Sequence, residues 1–253
     1  MRSPISLYRW YEGRIRAALP PDAIPRHVGV ILDGNRRWAK AAGTKQAAGY
    51  EAGADKVTEL LSWSEEVGVE MVTLWMLSTD NLSRPEAEVV ELVEIIEQAV
   101  SDLAAQRRWR IQVVGALDLL PYQTVAGLHA AEAATSQIEG LHVNVAIGYG
   151  GRKEIADAVR ALLEDQAKAG VTLEQLAQTL DVEHIARHLY TSGQPDPDLV
   201  IRTSGEQRLS GFLLWQSVHS EFYFCEAYWP DFRKVDFLRA LRSFAARERR
   251  LGR

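Results

Sequence analysis

Short apolar segments alternate with longer amphipathic segments along most of the chain. Residues 27–32 and 69–77 are rich in Val, Ile and Leu, and the second segment is apolar at both odd and even positions. Such segments are typical of parallel strands that helices cover on both faces. Four more strands are predicted at residues 110–114, 141–147, 199–201 and 221–224.

Helices are predicted between the strands, where apolar residues recur three and four positions apart. They cover residues 49–67, 85 onward, 121–137, 151 onward, 181–190 and 235–250. A strand followed by a helix, repeated along the chain, predicts an α/β fold. We therefore expect a single domain with a central, mostly parallel six-stranded sheet that is flanked by helices.

Composition limits the kinds of partner and the cellular compartment that we expect for this protein. The chain has 29 Lys and Arg against 34 Asp and Glu, a net charge of −5, which argues against a nucleic-acid partner. Cys225 is the single cysteine, which excludes an intrachain disulfide and a Cys-rich zinc site. No apolar run approaches the roughly 18 residues of a membrane span, and the N-terminus lacks the apolar centre of a signal peptide. We expect a cytoplasmic protein.

The first strand ends in the sequence Asp-Gly-Asn-Arg-Arg-Trp at residues 33–38. A glycine lets the backbone approach a ligand closely, and backbone N–H groups together with Arg suit phosphate oxygens. Because Asp33 would repel a phosphate, the sequence predicts a divalent cation between them, and Mg²⁺ binds in this way. The alternative is a turn followed by two solvent-exposed arginines.

The second strand ends in Ser-Thr-Asp-Asn-Leu-Ser-Arg-Pro at residues 78–85. Ser, Asp and Asn before Pro and Glu are typical of a helix N-cap, so a purely structural role is the alternative here. A cap that also presents Asn81 and Arg84 to an anion uses the same geometry. Capping and ligand binding are therefore compatible.

Glycine, arginine and hydroxyl groups also follow the fourth and fifth strands. Residues 148–151 (Gly-Tyr-Gly-Gly) are similar to a dinucleotide-binding turn, but Lys153 stands where the fingerprint needs Gly or Ala. Residues 202–211 carry two arginines, three hydroxyl groups and two glycines. Ligands of open α/β sheets bind beyond the carboxyl ends of the strands, so these groups together predict a polyphosphate site.

Other chemistries find less support. His184 and His188 have helical spacing, but no HExxH motif and no third ligand accompany them, so a solvated or packed helix is the better interpretation. The sequence also lacks a GxxxxGK[ST] loop and a Gly-x-Ser-x-Gly elbow, which argues against a P-loop NTPase and a serine hydrolase.

Taken together, these segments resemble the cis-prenyltransferase (undecaprenyl diphosphate synthase) family. The resemblance runs from His27 to Gly252 and is carried by residues 33–39, by Asn81 with Arg84 and Pro85, and by residues 149–152, 198–216 and 221–232. No Asp-Asp-x-x-Asp motif, the signature of trans-prenyltransferases, is present.

The resemblance implies an Mg²⁺-dependent prenyltransferase with a hydrophobic tunnel, which condenses isopentenyl diphosphate (IPP) with an allylic diphosphate. It also implies a homodimer, with peripheral membrane contact at the inner face of the cell membrane as a further expectation and no nucleic-acid partner. Residues 1–24 are then a helical extension, and residues 25–253 are the catalytic domain.

Carried over by position, the resemblance implies that Asp33 and Asn81 are catalytic and that Asp33 and Glu221 bind the metal. It implies that the allylic diphosphate contacts Gly34, Asn35, Arg36, Arg37 and Arg84, with Trp38 and Ser78 as further substrate-binding residues. It implies that the IPP diphosphate contacts Arg202, Arg208 and Ser210, and Arg250 and Gly252 across the dimer interface.

Met76 occupies a family position that carries small residues when the product is long. A bulky side chain there predicts a short product, (2Z,6E)-farnesyl diphosphate from geranyl diphosphate and one IPP. The alternatives are that Met76 only fills the core, that the chain makes a medium or long lipid carrier, or that it is a non-catalytic partner subunit. The chain also departs from the family at Gln46 and Tyr50, where Arg and His are common.

Overall fold

A six-stranded parallel sheet forms the centre of the structure, a computed structural model that describes residues 4–247. The strands are β1 (His27–Ile31), β2 (Met71–Trp75), β3 (Arg110–Val114), β4 (His142–Ala146), β5 (Leu199–Arg202) and β6 (Glu221–Phe224). Their order is β3-β4-β2-β1-β5-β6, and every neighbouring pair is parallel. The predicted fold class is confirmed.

Helices connect the strands and cover the sheet. They are α1 (Pro4–Ala17), α2 (Asn35–Ala41), α3 (Gln46–Val67), α4 (Glu86–Ala105), α5 (Tyr122–Thr135), α6 (Gly151–Lys168), α7 (Leu173–Thr179), α8 (Val182–Ala186) and α9 (Lys234–Ala245). No helix within residues 4–247 is long and apolar enough to cross a membrane.

The hydrophobic core has a larger and a smaller part. Val30 and Leu74 belong to the larger cluster, whereas Ile31, the residue next to Val30, belongs to the smaller one. Successive side chains of a strand point to opposite faces of its sheet, so the two clusters lie on the two faces. The sheet is therefore buried on both sides, as its near-continuous apolar strands predict.

Several predicted boundaries differ from the observed ones. The second strand ends at Trp75, because the N–H groups of Met76 and Leu77 both donate to the carbonyl of Ala146 where the chain turns away. The third helix begins at Gln46, and the helix predicted at 181–190 ends at Ala186. Helix α7 was not predicted, since its seven residues bury only one side chain and give little periodic signal.

The N-terminal helix packs on the rest of the chain. Ile15 of α1 is buried in the larger core cluster, and Tyr11 packs against the same cluster. Tyr11 also stacks under the guanidinium of Arg239 in α9. Residues 4–17 of the predicted extension are thus a helix attached to the same core.

Candidate functional site

A cavity of about 530 Å³ opens at the carboxyl edge of the sheet. Many of the predicted site residues line it together, from Asp33 to Ser210. These lining residues are Asp33, Gly34, Asn35, Arg36, Arg37, Met76, Ser78, Asn81, Arg84, Arg202, Arg208 and Ser210. They lie at or shortly after the carboxyl ends of β1, β2 and β5, which meet at one edge because the sheet is parallel.

Asp33 lies between two arginines at the centre of this cavity. Its Oδ2 accepts a hydrogen bond from Arg202 Nη2 at 2.8 Å, and its Oδ1 accepts one from Arg37 Nη2 at 3.3 Å. Burial raises the pKa of Asp33, but the hydrogen bonds from Arg202 and Ser204 and the arginine charges outweigh it. The net pKa lies below the usual value, so Asp33 is a carboxylate at neutral pH.

The backbone around Asp33 is fixed by Thr203. The Thr203 hydroxyl donates to the carbonyl of Asp33 at 2.6 Å and accepts from the Asp33 N–H at 3.0 Å. Thr203 is fully buried and follows directly on β5. The end of β1 is thereby tied to the end of β5, which sets the direction of the carboxylate.

A second group of contacts holds Arg202, the last residue of β5. Arg202 Nη1 donates to the Ser210 hydroxyl at 2.9 Å and to the carbonyl of Arg208. Arg202 is 5% exposed, and its Nε is buried without a hydrogen-bond partner within the described residues. Since unpaired buried donors are costly, this guanidinium is suited to a further anionic ligand.

The loop that presents these groups has an unusual backbone. Ser204, Ser210 and Leu213 all have positive φ angles, of 77°, 52° and 44°. Non-glycine residues adopt this region at a cost of about 1–3 kcal/mol, and such strain is concentrated at ligand sites. The strain supports a binding role for residues 203–213.

The glycine pair after β4 packs against this same loop. The N–H of Gly151 donates to the carbonyl of Gly211 at 3.0 Å, and a Cβ at Gly151 would lie 2.5 Å from that oxygen. Gly151 therefore serves close packing of this loop, whereas a Cβ on Gly150 would lie 2.5 Å from Thr79 Oγ1, in the turn after β2. They do not line the cavity, which removes the support for a dinucleotide-binding turn.

Tyr50, Arg84, Glu88 and Arg36 form a cluster on the other side of the cavity. The Tyr50 hydroxyl donates to Glu88 Oε1 at 2.8 Å and accepts from Arg84 Nη1 at 2.9 Å. Arg36 Nη1 lies 3.6 Å from the same Glu88 oxygen. Burial, followed by the hydrogen bond to Glu88, raises the pKa of Tyr50 to about 12. This tyrosine is a neutral link between a carboxylate and an arginine.

Gly34 brings the backbone close to Tyr228. Its φ angle is +113°, and a Cβ on this residue would lie 2.9 Å from Tyr228 Cδ1. The predicted flexible glycine is thus required at this position for two reasons, its conformation and the lack of space. The anion cradle that the sequence predicts at Gly34 and the start of α2 stays a prediction, and both line the cavity.

Ser78 and Asn81 cap a short 3₁₀ turn. Asn81 Oδ1 accepts from the Ser78 N–H at 3.2 Å, and the Ser78 hydroxyl accepts from the Asn81 N–H at 3.1 Å. They cap this turn and not helix α4, whose N-cap is Pro85 without a side-chain cap, so the predicted cap of the following helix is not observed. Both residues also line the cavity, and the Asn81 amide retains its two Nδ2 hydrogens as donors for a ligand.

The two faces of the sheet divide the cavity. Ile31 is in register with Trp75 on one side and with Arg202 on the other, so these three side chains share a face. Leu32 and Met76 come one residue later and pack with the larger core cluster on the opposite face. One half of the cavity thus adjoins Arg202, and the other adjoins Met76.

The apolar floor below Met76 is shallow. A second cavity of about 30 Å³ lies there and shares five lining residues with the first. It is lined by Leu32, Asn35, Tyr50, Gly53, Ala54, Met76, Leu92, Ile95, Ile96 and Trp229. The resemblance implies a hydrophobic tunnel, but in this chain that space is closed after a short distance by bulky side chains.

Two predicted residues do not line this cavity, and two more lie outside the described residues. Trp38 lies half-buried on α2 and does not line it, because its position on the helix turns it away from the strand ends. Glu221 is the first residue of β6 and therefore lies at the amino edge of the sheet, where it pairs with Arg247. Arg250 and Gly252 lie outside the described residues.

A single chain does not bring Glu221 and Asp33 together. β6 runs parallel to β5, and Glu221 is in register with Leu199 at the start of that strand. Asp33 follows the opposite end of β1. A metal site that uses both carboxylates stays a prediction, and it requires an assembly of more than one chain.

Trp75, Asp80 and Glu206 line the cavity but were not among the predicted residues. Glu206 holds Arg37 through Nη1 at 3.1 Å and also pairs with Arg208. Trp75 ends a strand beside Met76, so its place at the strand end was an available signal. Asp80 and Glu206 belong to the same polar loops as predicted residues.

The donor set fits a magnesium ion bound through few protein ligands. No cluster of three or more His, Cys, Asp or Glu side chains suited to a metal occurs in residues 4–247. Mg²⁺ usually binds through one or two carboxylates plus substrate phosphates, and it keeps several waters. Asp33 is an ionised carboxylate among arginines that suit phosphates, and so it meets this requirement.

The chain is similar to known proteins over most of its length. A family model described as undecaprenyl diphosphate synthase, a prenyltransferase, matches residues 31–252. The chain is 62% identical over 249 residues to a (2Z,6E)-farnesyl diphosphate synthase of Thermobifida fusca, which covers 98% of both chains. It is 59% identical over 246 residues to isoprenyl transferase 1 of Streptomyces avermitilis, which covers 97% of this chain and 96% of that one.

A solved structure is similar over most of the chain. Lavandulyl diphosphate synthase from Lavandula x intermedia, in complex with dimethylallyl diphosphate, superposes with a TM-score of 0.84 at 33% identity. The match covers 92% of this chain and all of the other one. The structural match agrees with the family match over residues 31–252. The chain belongs to the undecaprenyl diphosphate synthase family of prenyltransferases.

Proposed function

We propose that this protein is a short-chain cis-prenyltransferase, which condenses isopentenyl diphosphate with geranyl diphosphate to give (2Z,6E)-farnesyl diphosphate. One observation carries the proposal: an ionised Asp33 lies between two groups of arginines, in a cavity whose apolar floor is closed by Met76. The names of the relatives from Thermobifida fusca and Mycobacterium tuberculosis support the same product.

The half of the cavity beside Met76 is the proposed allylic site. Arg36 and Arg84 supply positive charge there, and Gly34 and Asn35 begin helix α2, whose N–H groups suit an anion. The hydrocarbon then lies against Leu32 and Met76 over the shallow floor. This arrangement separates the charged and apolar ends of an allylic diphosphate.

The half beside Arg202 is the proposed IPP site. Arg202 has an unpaired Nε, Ser210 holds its Nη1, and Arg208 is about two-thirds exposed at the rim. These groups suit a second diphosphate. IPP bound there places its five-carbon group between the arginine and the allylic carbon.

The reaction breaks the allylic C–O bond, and the electron pair stays on the departing diphosphate. The π electrons of IPP then form the new C–C bond, and transfer of a proton from IPP to an oxygen of the departed diphosphate leaves a Z double bond. Asp33 would hold Mg²⁺, which would supply charge stabilisation to the leaving diphosphate. Arg37 and Arg202 orient Asp33 and contribute positive charge to the same oxygens. Asn81 offers an amide donor near the reacting carbons.

The proposed length of the product follows from the small apolar space beside Met76. The cavity of about 30 Å³ beyond Met76 is far smaller than a further five-carbon unit needs. A medium or long lipid-carrier synthase therefore has less support. A non-catalytic partner subunit also has less support, because Asp33 and the arginines around it are all in place.

A homodimer would complete the site. β6 forms one end of the sheet, and Val218 just before it is 72% exposed, so an apolar edge is available for a second chain. Such a chain could supply Glu221 for the metal and Arg250 and Gly252 for the IPP diphosphate. We place the enzyme in the cytoplasm, with peripheral contact to the inner face of the membrane through its lipid product.

The test uses the purified protein with Mg²⁺ and labelled IPP, together with dimethylallyl, geranyl or (E,E)-farnesyl diphosphate. Products are separated by chain length and double-bond geometry. We expect a C15 product with one Z bond from geranyl diphosphate and no activity after chelation of the metal. Products of ten or more units would instead support the lipid-carrier alternative, and no turnover at all would support a partner subunit.

A further inference from the structure

Trp75 ends β2 in the half of the cavity that adjoins Arg202. Ile31 lies between them in the neighbouring strand, and the three residues form one row across the sheet. Adjacent strands are about 4.8 Å apart, so the row from Arg202 to Trp75 spans roughly 10 Å. This is of the order of the length of a five-carbon chain with its diphosphate.

The indole of Trp75 is held in a fixed orientation. It stacks on Phe212, with ring centroids 5.1 Å apart and planes inclined by 13°. Its Nε1 donates to the carbonyl of Tyr149 at 3.3 Å, and the Tyr149 ring meets it edge-on at 6.3 Å. Phe212 and Tyr149 are fully buried. The wall behind the indole therefore does not yield readily to a larger ligand.

The remaining surface of the indole faces the cavity. Trp75 is only half-buried and lines the cavity next to Ile31, which is itself 5% exposed. Arg202 marks the polar end of the row, and Trp75 marks its apolar end. A ligand whose diphosphate is bound by Arg202 thus meets an isoleucine and then a rigid aromatic wall.

We propose that Trp75 is a specificity-determining residue for the five-carbon group of IPP and sets the upper limit to the size of that group. The inference rests on the proposed IPP site. Two consecutive residues then have separate roles: Trp75 limits the five-carbon group of IPP, and Met76 limits the allylic chain on the other face of the sheet.

The test compares IPP with 3-ethylbut-3-enyl diphosphate, which carries one more carbon, as partners for geranyl diphosphate. A single additional methylene in a tight apolar pocket costs roughly tenfold or more in kcat/KM, and we expect the wild-type enzyme to show such a preference. In Trp75→Ala the preference should fall by about tenfold, and KM for IPP should rise by about tenfold. KM for geranyl diphosphate should change far less.

Two further variants make the outcome specific. Trp75→Phe keeps an aromatic ring on Phe212, so the loss of preference and the rise in KM for IPP should both be smaller than in Trp75→Ala. It also tests the inference if Trp75→Ala does not fold. Met76→Ala is the matched variant on the opposite face, and it should leave the preference between the two homoallylic substrates unchanged. Thermal melting checks that each variant is folded.

Unchanged discrimination in both folded Trp75 variants would overturn the inference. So would a rise in KM for geranyl diphosphate without a rise for IPP. If the wild-type protein does not turn over IPP at all, then the proposed function itself fails, and this result is distinct from a failure at Trp75 alone.

Discussion

Trp75 and Met76 are consecutive in the chain, yet their side chains lie on opposite faces of the sheet. Trp75 stacks on Phe212 in the smaller core cluster, whereas Met76 packs against the larger cluster and lines the shallow floor. Asp33 follows the neighbouring strand β1 and lines the same cavity. One strand end thus separates two apolar compartments within a single cavity.

Met76→Ala should lengthen the product. Removal of this side chain opens the floor toward Leu92 and Ile96, so the first product can remain bound and react again. We expect products of C20 and longer, measured by chromatography after incubation with geranyl diphosphate and excess IPP. Met71→Ala is the matched control, because Met71 is buried at the opposite end of the same strand. An unchanged C15 product from folded Met76→Ala would refute the stop role.

Asp33→Asn should abolish most of the activity. The amide oxygen can still accept from an arginine, but the negative charge that binds a cation is lost. Loss of one electrostatic element of this kind costs about 10²–10³-fold in kcat. Turnover at saturating Mg²⁺ is the measurement. The same change at the exposed Asp102 is the control, and full turnover of Asp33→Asn would contradict the metal role.

Arg208→Ala should raise KM for IPP by about tenfold, since one charge-assisted hydrogen bond is worth roughly 1.5–3 kcal/mol. KM for geranyl diphosphate should change much less, because Arg208 lies in the loop after β5. Initial rates at varied concentrations of each substrate give the two constants. Arg160→Ala is a matched control, as its side chain is 63% exposed and that of Arg208 is 64% exposed. Equal effects on both substrates would argue against a separate IPP subsite.

The stability of the protein should fall in mild acid because of His27. Burial lowers the pKa of His27 to about 4, whereas the unfolded side chain titrates near 6.5. Between these values the unfolded chain binds a proton that the folded chain does not, so the free energy of unfolding decreases as the pH falls from about 6.5 to about 4. The loss is on the order of 3 kcal/mol.

Urea unfolding at a series of pH values measures this contribution. The folded imidazole bridges the carbonyl of Pro195, at 2.8 Å from Nδ1, and the hydroxyl of Thr73, at 2.8 Å from Nε2. His27→Gln should lower stability at neutral pH but reduce its dependence on pH in this range. His129→Gln, at an exposed position, should reproduce the wild-type profile. An unaltered profile for His27→Gln would show that other groups cause the acid sensitivity.

The strand pattern was readable because helices cover the sheet on both faces, which makes each strand a continuous apolar segment. The six predicted strands are all observed. Helix ends were less readable, and α7 was missed, because short helices with one buried residue carry almost no periodicity. Local polar sequence was informative where it also forms a cap, as at Ser78 and Asn81.

Part of the site could be predicted from the sequence, because the ends of the strands could be located there. Residues at or just after the carboxyl ends of strands, such as Arg202 and Asp33, reach the carboxyl edge by topology alone. Trp38 does not line the cavity, and its contact with a substrate stays a prediction. Tyr50 reaches the cavity from within α3, and only its contacts with Arg84 and Glu88 explain its position there.

The amino-acid sequence by itself determined the α/β class, the order of the elements and the residue types that gather at the strand ends, because hydrophobic periodicity and strand direction are local properties. The tertiary structure decided which residues touch across the sheet. It paired Asp33 with Arg202 over 169 positions of sequence, directed Trp75 and Met76 to different compartments, and set Glu221 at the far edge. These outcomes depend on strand order and register, which no local segment specifies.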